Sequence, residues 1–241
     1  MAKQRLDRWM VEHGSAETRE KAQALIMAGE VMVNGQKASK PGQSVDDSAA
    51  VQVLARPRYV SRAGLKLEGA LEHFHVNVSG LVCADFGAST GGFTDCLLQA
   101  GAARVHAIDV GTGQLDWKLR NDPRVVLHEG VNARYLNPDD VGEKVDLAVC
   151  DVSFISATLI VPAMAGVLKP EGRMIVLVKP QFEAGREQVG KGGIVRDPEA
   201  HAAACEKVRA SVAALKFETA LTESPITGAE GNKEFLLYAF C

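Results

Sequence analysis

Residues 82–94 read Val-Cys-Ala-Asp-Phe-Gly-Ala-Ser-Thr-Gly-Gly-Phe-Thr. An apolar strand runs into a turn of small residues, and the turn runs into a helix predicted to start near Gly92 or Phe93. Glycine has no Cβ, so such a turn can be tight and a ligand can lie against backbone N–H groups at the helix start. A second strand is predicted over 104–109, ending in Asp109. A carboxylate there sits where a ribose diol binds in a Rossmann-like half. Strand, glycine turn, helix, strand and acid are shared by dinucleotide enzymes and S-adenosylmethionine (SAM) enzymes. The phosphate-binding version reads G-x-G-x-x-G. Here the run is G-A-S-T-G-G with Asp85 two residues before it. A carboxylate so close to the turn suits a cationic amino-acid ligand better than a pyrophosphate, which favours SAM over NAD.

The chain has 241 residues, 46% hydrophobic and 24% charged, a composition of a globular, soluble protein with room for one medium and one small domain. Its net charge is −3, but residues 1–60 carry nine Lys/Arg against seven Asp/Glu. That modestly basic front end is compatible with nucleic acid without establishing it. Five cysteines without a C-x-x-C pair argue against a zinc knuckle or disulfide framework and point to a reducing cytoplasm. The charged start reads as no signal peptide, and no apolar run reaches the 18 or so residues that span a bilayer.

The first 55 residues form a predicted mini-domain. Leu6, Trp9, Met10 and His13 share a helical stripe, and Gly14 stops that helix. Ser15 or Thr18 caps a second helix over about 16–28, with Ala22, Leu25 and Ile26 inward. A strand over 31–33, the Asn34-Gly35 turn signal and a strand over 50–54 follow. The R-L-D run at 5–7, the basic second helix ending in Ala-Gly-Glu, V-x-V-N-G at 31–35 and Lys37 together resemble the S4-type RNA-binding domain. The resemblance implies an RNA-facing surface bearing Arg5, Arg8, Arg19, Lys21 and Lys37. Residues 56–60, Arg-Pro-Arg-Tyr-Val, read as a linker, and Ser61 as the N-cap of a helix with Leu67, Leu71 and Phe74 at core spacing. Arg62 joins the RNA-facing set.

From residue 61 onward strands and helices alternate, which predicts an α/β domain with a parallel sheet. Strands are expected over 82–86, 104–109, about 125–128, 145–151 and 173–179. Helices are expected over about 156–168 and 198–215. A glycine-rich loop over 180–196, carrying Arg186, Lys191 and Arg196, is expected to move until substrate binds. Two closing strands, about 218–224 and 235–241, follow the pattern of SAM-dependent methyltransferases. Ligands of such sheets bind at the carboxyl ends of the strands. Asp109, Asp151 and Lys179 lie there, and Glu234 precedes the last strand. An ammonium ending a buried strand is costly unless it reaches solvent or carboxylates hold it; Asp151 and Glu234 are the expected partners of Lys179.

S-R-A-G-L-K at 61–66, the 85–94 turn, C-D-V-S-F-I-S at 150–156, V-K-P-Q-F-E at 178–183 and G-N-K-E-F-L at 231–236 together resemble the TlyA/haemolysin A family. This resemblance spans nearly the whole chain. It implies an S4 domain (1–55) joined to an FtsJ-like methyltransferase domain (61–241), and a cytoplasmic enzyme methylating ribose 2'-OH groups of ribosomal RNA, naked or in ribosomal subunits. It also implies a catalytic Lys-Asp-Lys-Glu tetrad, falling on Lys66, Asp151, Lys179 and Glu234. Lys179 is the expected base, and Lys66 the group that orients the hydroxyl and stabilises oxyanion character. Phe154 departs from the small or polar residue that some ribose methyltransferases place there, and is read as a subfamily trait. SAM contacts are expected from Asp85, Gly87, Ser89 and Gly91 around the methionine part, Asp109 at the ribose, Asn132 at the adenine, and Asp151. No metal is required. His106, His128 and His201 are read as ordinary structural histidines.

The sequence opposes three rival readings. A membrane-active haemolysin is opposed by the lack of a spanning segment or amphipathic cationic helix. The intact tetrad opposes a non-catalytic RNA-binding or ribosome-assembly factor. A nicotinamide oxidoreductase is disfavoured by the glycine pattern and the terminal strands.

Overall fold

The computed structural model describes residues 3–54, 57–228 and 231–241, apart from the Arg186 side chain. Arg56, in the expected linker, lies outside them. The chain divides into two units, Met1–Pro57 and Arg58–Cys241.

In the first unit, apolar spacing builds helices α1 (Leu6–Glu12) and α2 (Arg19–Met27). The strands are β1 (Lys3–Arg5), β2 (Val31–Val33), β3 (Gln36–Lys37), β4 (Ser44–Asp46) and β5 (Val51–Val53). β1 pairs antiparallel with β4, and β2 is central between β3 and β5. Leu6, Met10 and Ile26 are wholly buried with Trp9, Val31 and Val33, at about 2 kcal/mol for each large side chain. Thr18, the alternative cap, is the one used: its Oγ1 accepts from Lys21 N at 3.2 Å. His13 is exposed rather than core; its ring stacks on Trp9 at 3.9 Å and its Nδ1 lies 2.9 Å from Trp9 O.

The second unit holds α3 (Ala63–His73), β6 (Val82–Phe86), α4 (Gly92–Gln99), β7 (Arg104–Asp109), α5 (Trp117–Arg120), β8 (Val125–Glu129), α6 (Pro138–Val141) and β9 (Val145–Cys150). Then come α7 (Val161–Val167), β10 (Leu168–Val178), α8 (Pro180–Glu183), α9 (Pro198–Ala213), β11 (Glu218–Glu223) and β12 (Phe235–Phe240). The sheet order is β11-β12-β10-β9-β6-β7-β8. β12 runs antiparallel between β10 and β11, and β8, β7, β6, β9 and β10 are mutually parallel. Val, Ile, Leu and Ala fill the central strands because both faces are covered.

Four local expectations change. Ser61 is not the cap: α3 begins at Ala63, and Ser61 O accepts from Gly64 N at 3.2 Å. Residues 58–60 pack into the second unit instead of running free, because Tyr59 is buried among the core side chains and Val60 N donates to Asp95 Oδ2 at 2.9 Å. The helix expected over 156–168 is a short 3₁₀ turn followed by α7, whose start carries Pro162 in the first turn where its missing N–H is harmless. The glycine-rich loop holds α8 and two 3₁₀ turns.

Candidate active site

The turn after β6 departs from ordinary backbone at Gly87 (φ 85°), Ser89 (φ 49°) and Gly91 (φ 97°). A Cβ on Gly87 would stand 2.7 Å from Asp151 O, and one on Gly91 would collide with Leu119 and Leu115. Gly87 therefore lets β6 and β9 end side by side, and Gly91 lets the turn pack on α5. A cavity of about 470 Å³ opens beside this turn, walled by Gly87, Ser89, Asp109, Asn132, Asp151 and apolar side chains such as Ile155. Asp109 accepts from Ser89 N and Gly111 N, both at 2.7 Å. Asn132 Oδ1 accepts from Arg134 N at 3.1 Å. Gln114, which had no place in the sequence reading, also lines the cavity and is bonded by Ser89 Oγ at 3.3 Å.

Asp85 lies behind the turn and lines no described cavity. It is wholly buried; Oδ2 accepts from Thr94 Oγ1 at 2.7 Å, and Oδ1 has no hydrogen-bond partner among the described residues. Burial pushes its carboxyl up to about 7, with Asp151 and Asp109 adding to the shift and the Thr94 hydrogen bond opposing it. An orphaned buried oxygen under a turn fits a cationic ligand. Together with a carboxylate at the end of β7 and an apolar slot, these residues suit SAM: Asp109 and Asn132 would hold its nucleoside, and the turn its methionine part.

The four charged residues of the expected tetrad gather around Ser153. Lys179 Nζ is 2.6 Å from Asp151 Oδ1 and donates to Ser153 Oγ at 2.8 Å. Lys66 Nζ is 2.5 Å from Glu234 Oε2. Both lysines are buried, 8% exposed each. Glu234 therefore pairs with Lys66, not with Lys179. Lys66, beside the apolar stripe of α3, is buried because β12 brings Glu234 to it. Two further cavities meet here. One, of about 160 Å³, is walled by Gly87, Ser89, Asp151, Ser153 and Lys179; the other, of about 480 Å³, by Lys66, Ser153, Lys179, Glu234 and the rings of Phe154 and Phe182. Ser153 lines all three cavities. Phe154 is 92% exposed with φ 65°, unusual for a bulky residue, and its ring lies 5.3 Å from that of Phe182.

The FtsJ-like methyltransferase family profile matches residues 59–240, and the S4 domain profile matches residues 4–51. Among curated relatives, the 16S/23S rRNA (cytidine-2'-O)-methyltransferase TlyA of Mycobacterium tuberculosis is 46% identical, over 97% of this chain and 88% of that protein. Hemolysin A of Brachyspira hyodysenteriae is 44% identical, over 97% of this chain and 98% of that protein. The chain belongs to the TlyA/haemolysin A family of FtsJ-like methyltransferases. A solved chain of 47% identity from Streptococcus thermophilus superposes on this member with a TM-score of 0.76, covering 100% of this chain and 89% of that one.

The methyltransferase part is preceded by an S4 domain. In that unit Asp7 is wholly buried and collects Arg5 (3.0 and 2.9 Å), Arg19 (2.9 Å) and Gln23 (2.8 Å). The Arg5 guanidinium, first among these, holds the Asp7 carboxyl far below the usual range. Arg5 and Arg19 remain 46% and 44% exposed. Arg8 is exposed, Lys21 pairs with Glu17, and Lys37 lies over Gly29. In the second unit Arg62 donates to Thr227 O at 3.0 Å. His106, His128 and His201 are engaged with Glu143, one another and Val195 O. Sequence reasoning missed Asp7, Ser153, Gln114 and the clamp at Glu183. Glu183 is buried and accepts from Ser156 Oγ and Ala157 N, each at 2.6 Å, tying the Phe154 loop to α8. Asp7 carried little local signal, since its neighbours Arg5 and Arg8 are two and one residues away, spacings that do not face each other on a helix, and Arg19 reaches it from α2. Ser153 carried none beyond its closeness to Asp151. No described helix is long and apolar enough to cross a membrane.

Proposed function

We propose that this protein, in the cytoplasm, transfers a methyl group from SAM to a ribose 2'-OH of ribosomal RNA. The observation that carries the reading is Lys179. It stands between a cavity suited to a nucleoside cofactor and a second cavity bounded by an exposed phenyl ring and a second buried lysine. SAM, when bound, supplies an electrophilic methyl on a sulfonium. Asp151, 2.6 Å away, and Ser153, which accepts from Nζ at 2.8 Å, would orient Lys179 toward the incoming hydroxyl as its base. Lys179 Nζ would take the proton of that hydroxyl. Lys66, oriented by Glu234, stabilises charge building on that oxygen. Phe154, exposed at the mouth, offers a face for an unstacked base, and its strained backbone is the kind stored at working sites.

SAM contacts are assigned to Gly87, Ser89, Asp109, Asn132 and Asp151; Asp85, expected among them, is wholly buried behind the turn and acts on the ligand through its charge. Gly91 acts through the packing of the turn. Arg5 and Arg19, each with donors left over after Asp7, are assigned to RNA phosphates together with Arg8, Lys21 and Lys37. Arg62, already held by Thr227, contributes less. The S4 unit spans residues 1–57 and the methyltransferase unit 58–241.

The test is methyl transfer from labelled SAM to purified 30S and 50S particles, beside Lys179→Ala. Label on a ribose 2'-oxygen that vanishes in the variant is the expected result. No transfer to either particle, with SAM still bound, would defeat the ribosomal reading and favour the binding-factor alternative.

A further inference from the structure

Among the described residues, the polar side chains on the wall of the cavity beyond Lys179 have a charged or hydrogen-bonded partner, Gln181 excepted. Lys66 and Glu234 face each other, and Lys179 is held by Asp151 and Ser153. Asn232 accepts from Val195 N and donates to Gly193 O, both at 3.0 Å. Gln181, on α8 two residues past Lys179, lines the same cavity. Its carboxamide makes no hydrogen bond with any described residue, and its Oε1 is buried. Burying an amide oxygen without a donor is costly, and a ligand that brings a donor removes that cost. The terminal torsion of glutamine is soft, so the amide can turn to meet a partner.

Resting on the RNA reading above, we infer that Gln181 reads the Watson–Crick edge of the target base. Oε1 accepts from an exocyclic amine, and Nε2 donates to the adjacent ring nitrogen. The ligand class follows from that pattern: an unpaired base with an amine beside an acceptor nitrogen, which is cytosine or adenine and neither uracil nor guanine. In a duplex that edge is already paired, so the contact forms only after the nucleotide has left the stack. Phe154 and Phe182 supply the ring faces around it. The short helix that carries Gln181 follows Lys179 directly, so reading the base and placing its ribose at Nζ are one event.

The test begins by mapping the methylated nucleotide. A mapped uracil or guanine overturns the inference at once. With cytosine or adenine mapped, the ribosomal RNA is rebuilt by splinted ligation with the analogue lacking the exocyclic amine at that site. It is then assembled into the particle that wild type methylates. Wild type should lose roughly tenfold or more in kcat/KM on the analogue. Gln181→Met should be slower on the native base yet lose less than about twofold on the analogue, because the two changes remove the same contact. Equal amine dependence in wild type and variant overturns the inference. Gln181→Glu is the second variant: it keeps size and acceptor, and should keep a preference for the amine. SAM affinity should stay within about twofold in both, since Gln181 lines neither cofactor-side cavity. Absence of any transfer by wild type sinks the RNA reading and this inference together; transfer with unchanged amine dependence in Gln181→Met sinks this inference alone.

Discussion

Asp7 in the first unit is a wholly buried anion whose partners, Arg5 and Arg19, keep nearly half of their side chains in solvent. Lys66 and Lys179 in the second unit are cations that are themselves nine-tenths buried, each against one carboxylate. The two arrangements suit different work. Arg19 spends only Nε on Asp7, so a pre-oriented guanidinium retains donors for a polyanion. A buried ammonium is a different case, because its desolvation is tolerated only where neighbours hold it closely. Under the proposed function, the half-exposed cations on the buried anion are assigned to binding and the buried cations on the cavity walls to the reaction.

Lys179→Ala breaks the second arrangement most directly. Methyl transfer should fall about a thousandfold or more, with SAM affinity retained, as read by labelled transfer and calorimetric titration. Lys179→Arg should not rescue, because a guanidinium cannot release its proton. Comparable loss in Lys179→Ala and in a surface lysine variant such as Lys216→Ala would dissolve the distinction.

Asp85 supplies the next effect. Its carboxyl sits above its ordinary range in the fold, at about 7. Its contribution to stability is therefore complete below the usual carboxylate pKa and lost as pH rises through about 7. Ligand-free Asp85→Asn should match wild type in acid and melt several degrees higher above neutrality. It should bind SAM more weakly there, because the carboxylate that a cation prefers is gone. Thermal melts across pH, with and without SAM, check both signs; a pH-independent difference would refute the role of charge.

Asp7→Ala should cost the first unit about 2 kcal/mol and weaken RNA binding. Trp9 reports on this unit and exposed Trp117 on the other, so urea unfolding followed in a Trp117→Phe background isolates it. Arg19→Ala is the smallest change. RNA affinity should drop a few-fold, and the slope of log affinity on log salt should fall by about one. An unaltered slope would remove Arg19 from the phosphate contacts.

Much of this architecture was legible because it follows local periods. β6 and β7 fall at 82–86 and 104–109, where apolar runs are bounded by Gly and Asp. Thr18 and Gly29 bracket α2 through ordinary capping chemistry. What escaped was non-local. Nothing near Tyr59 in the chain announces that it enters a core built from α3 and α4. Phe154 reads from the sequence as a subfamily trait, and nothing local tells that its left-handed backbone leaves it 92% exposed.

The chain by itself determined the alternation of strand and helix, the ligand-binding end of the sheet and the glycine turn, because residue type and short-range spacing carry that information; Lys66, Asp151, Lys179 and Glu234 stood out as a set only through the family resemblance. Only the tertiary structure decided which of them face each other. β12 enters antiparallel beside β10, which delivers Glu234 to Lys66 on α3 and leaves Asp151 and Ser153 to hold Lys179. Ion pairing depends on distances of a few ångströms between elements scores of residues apart, and those distances exist only once the sheet order is set.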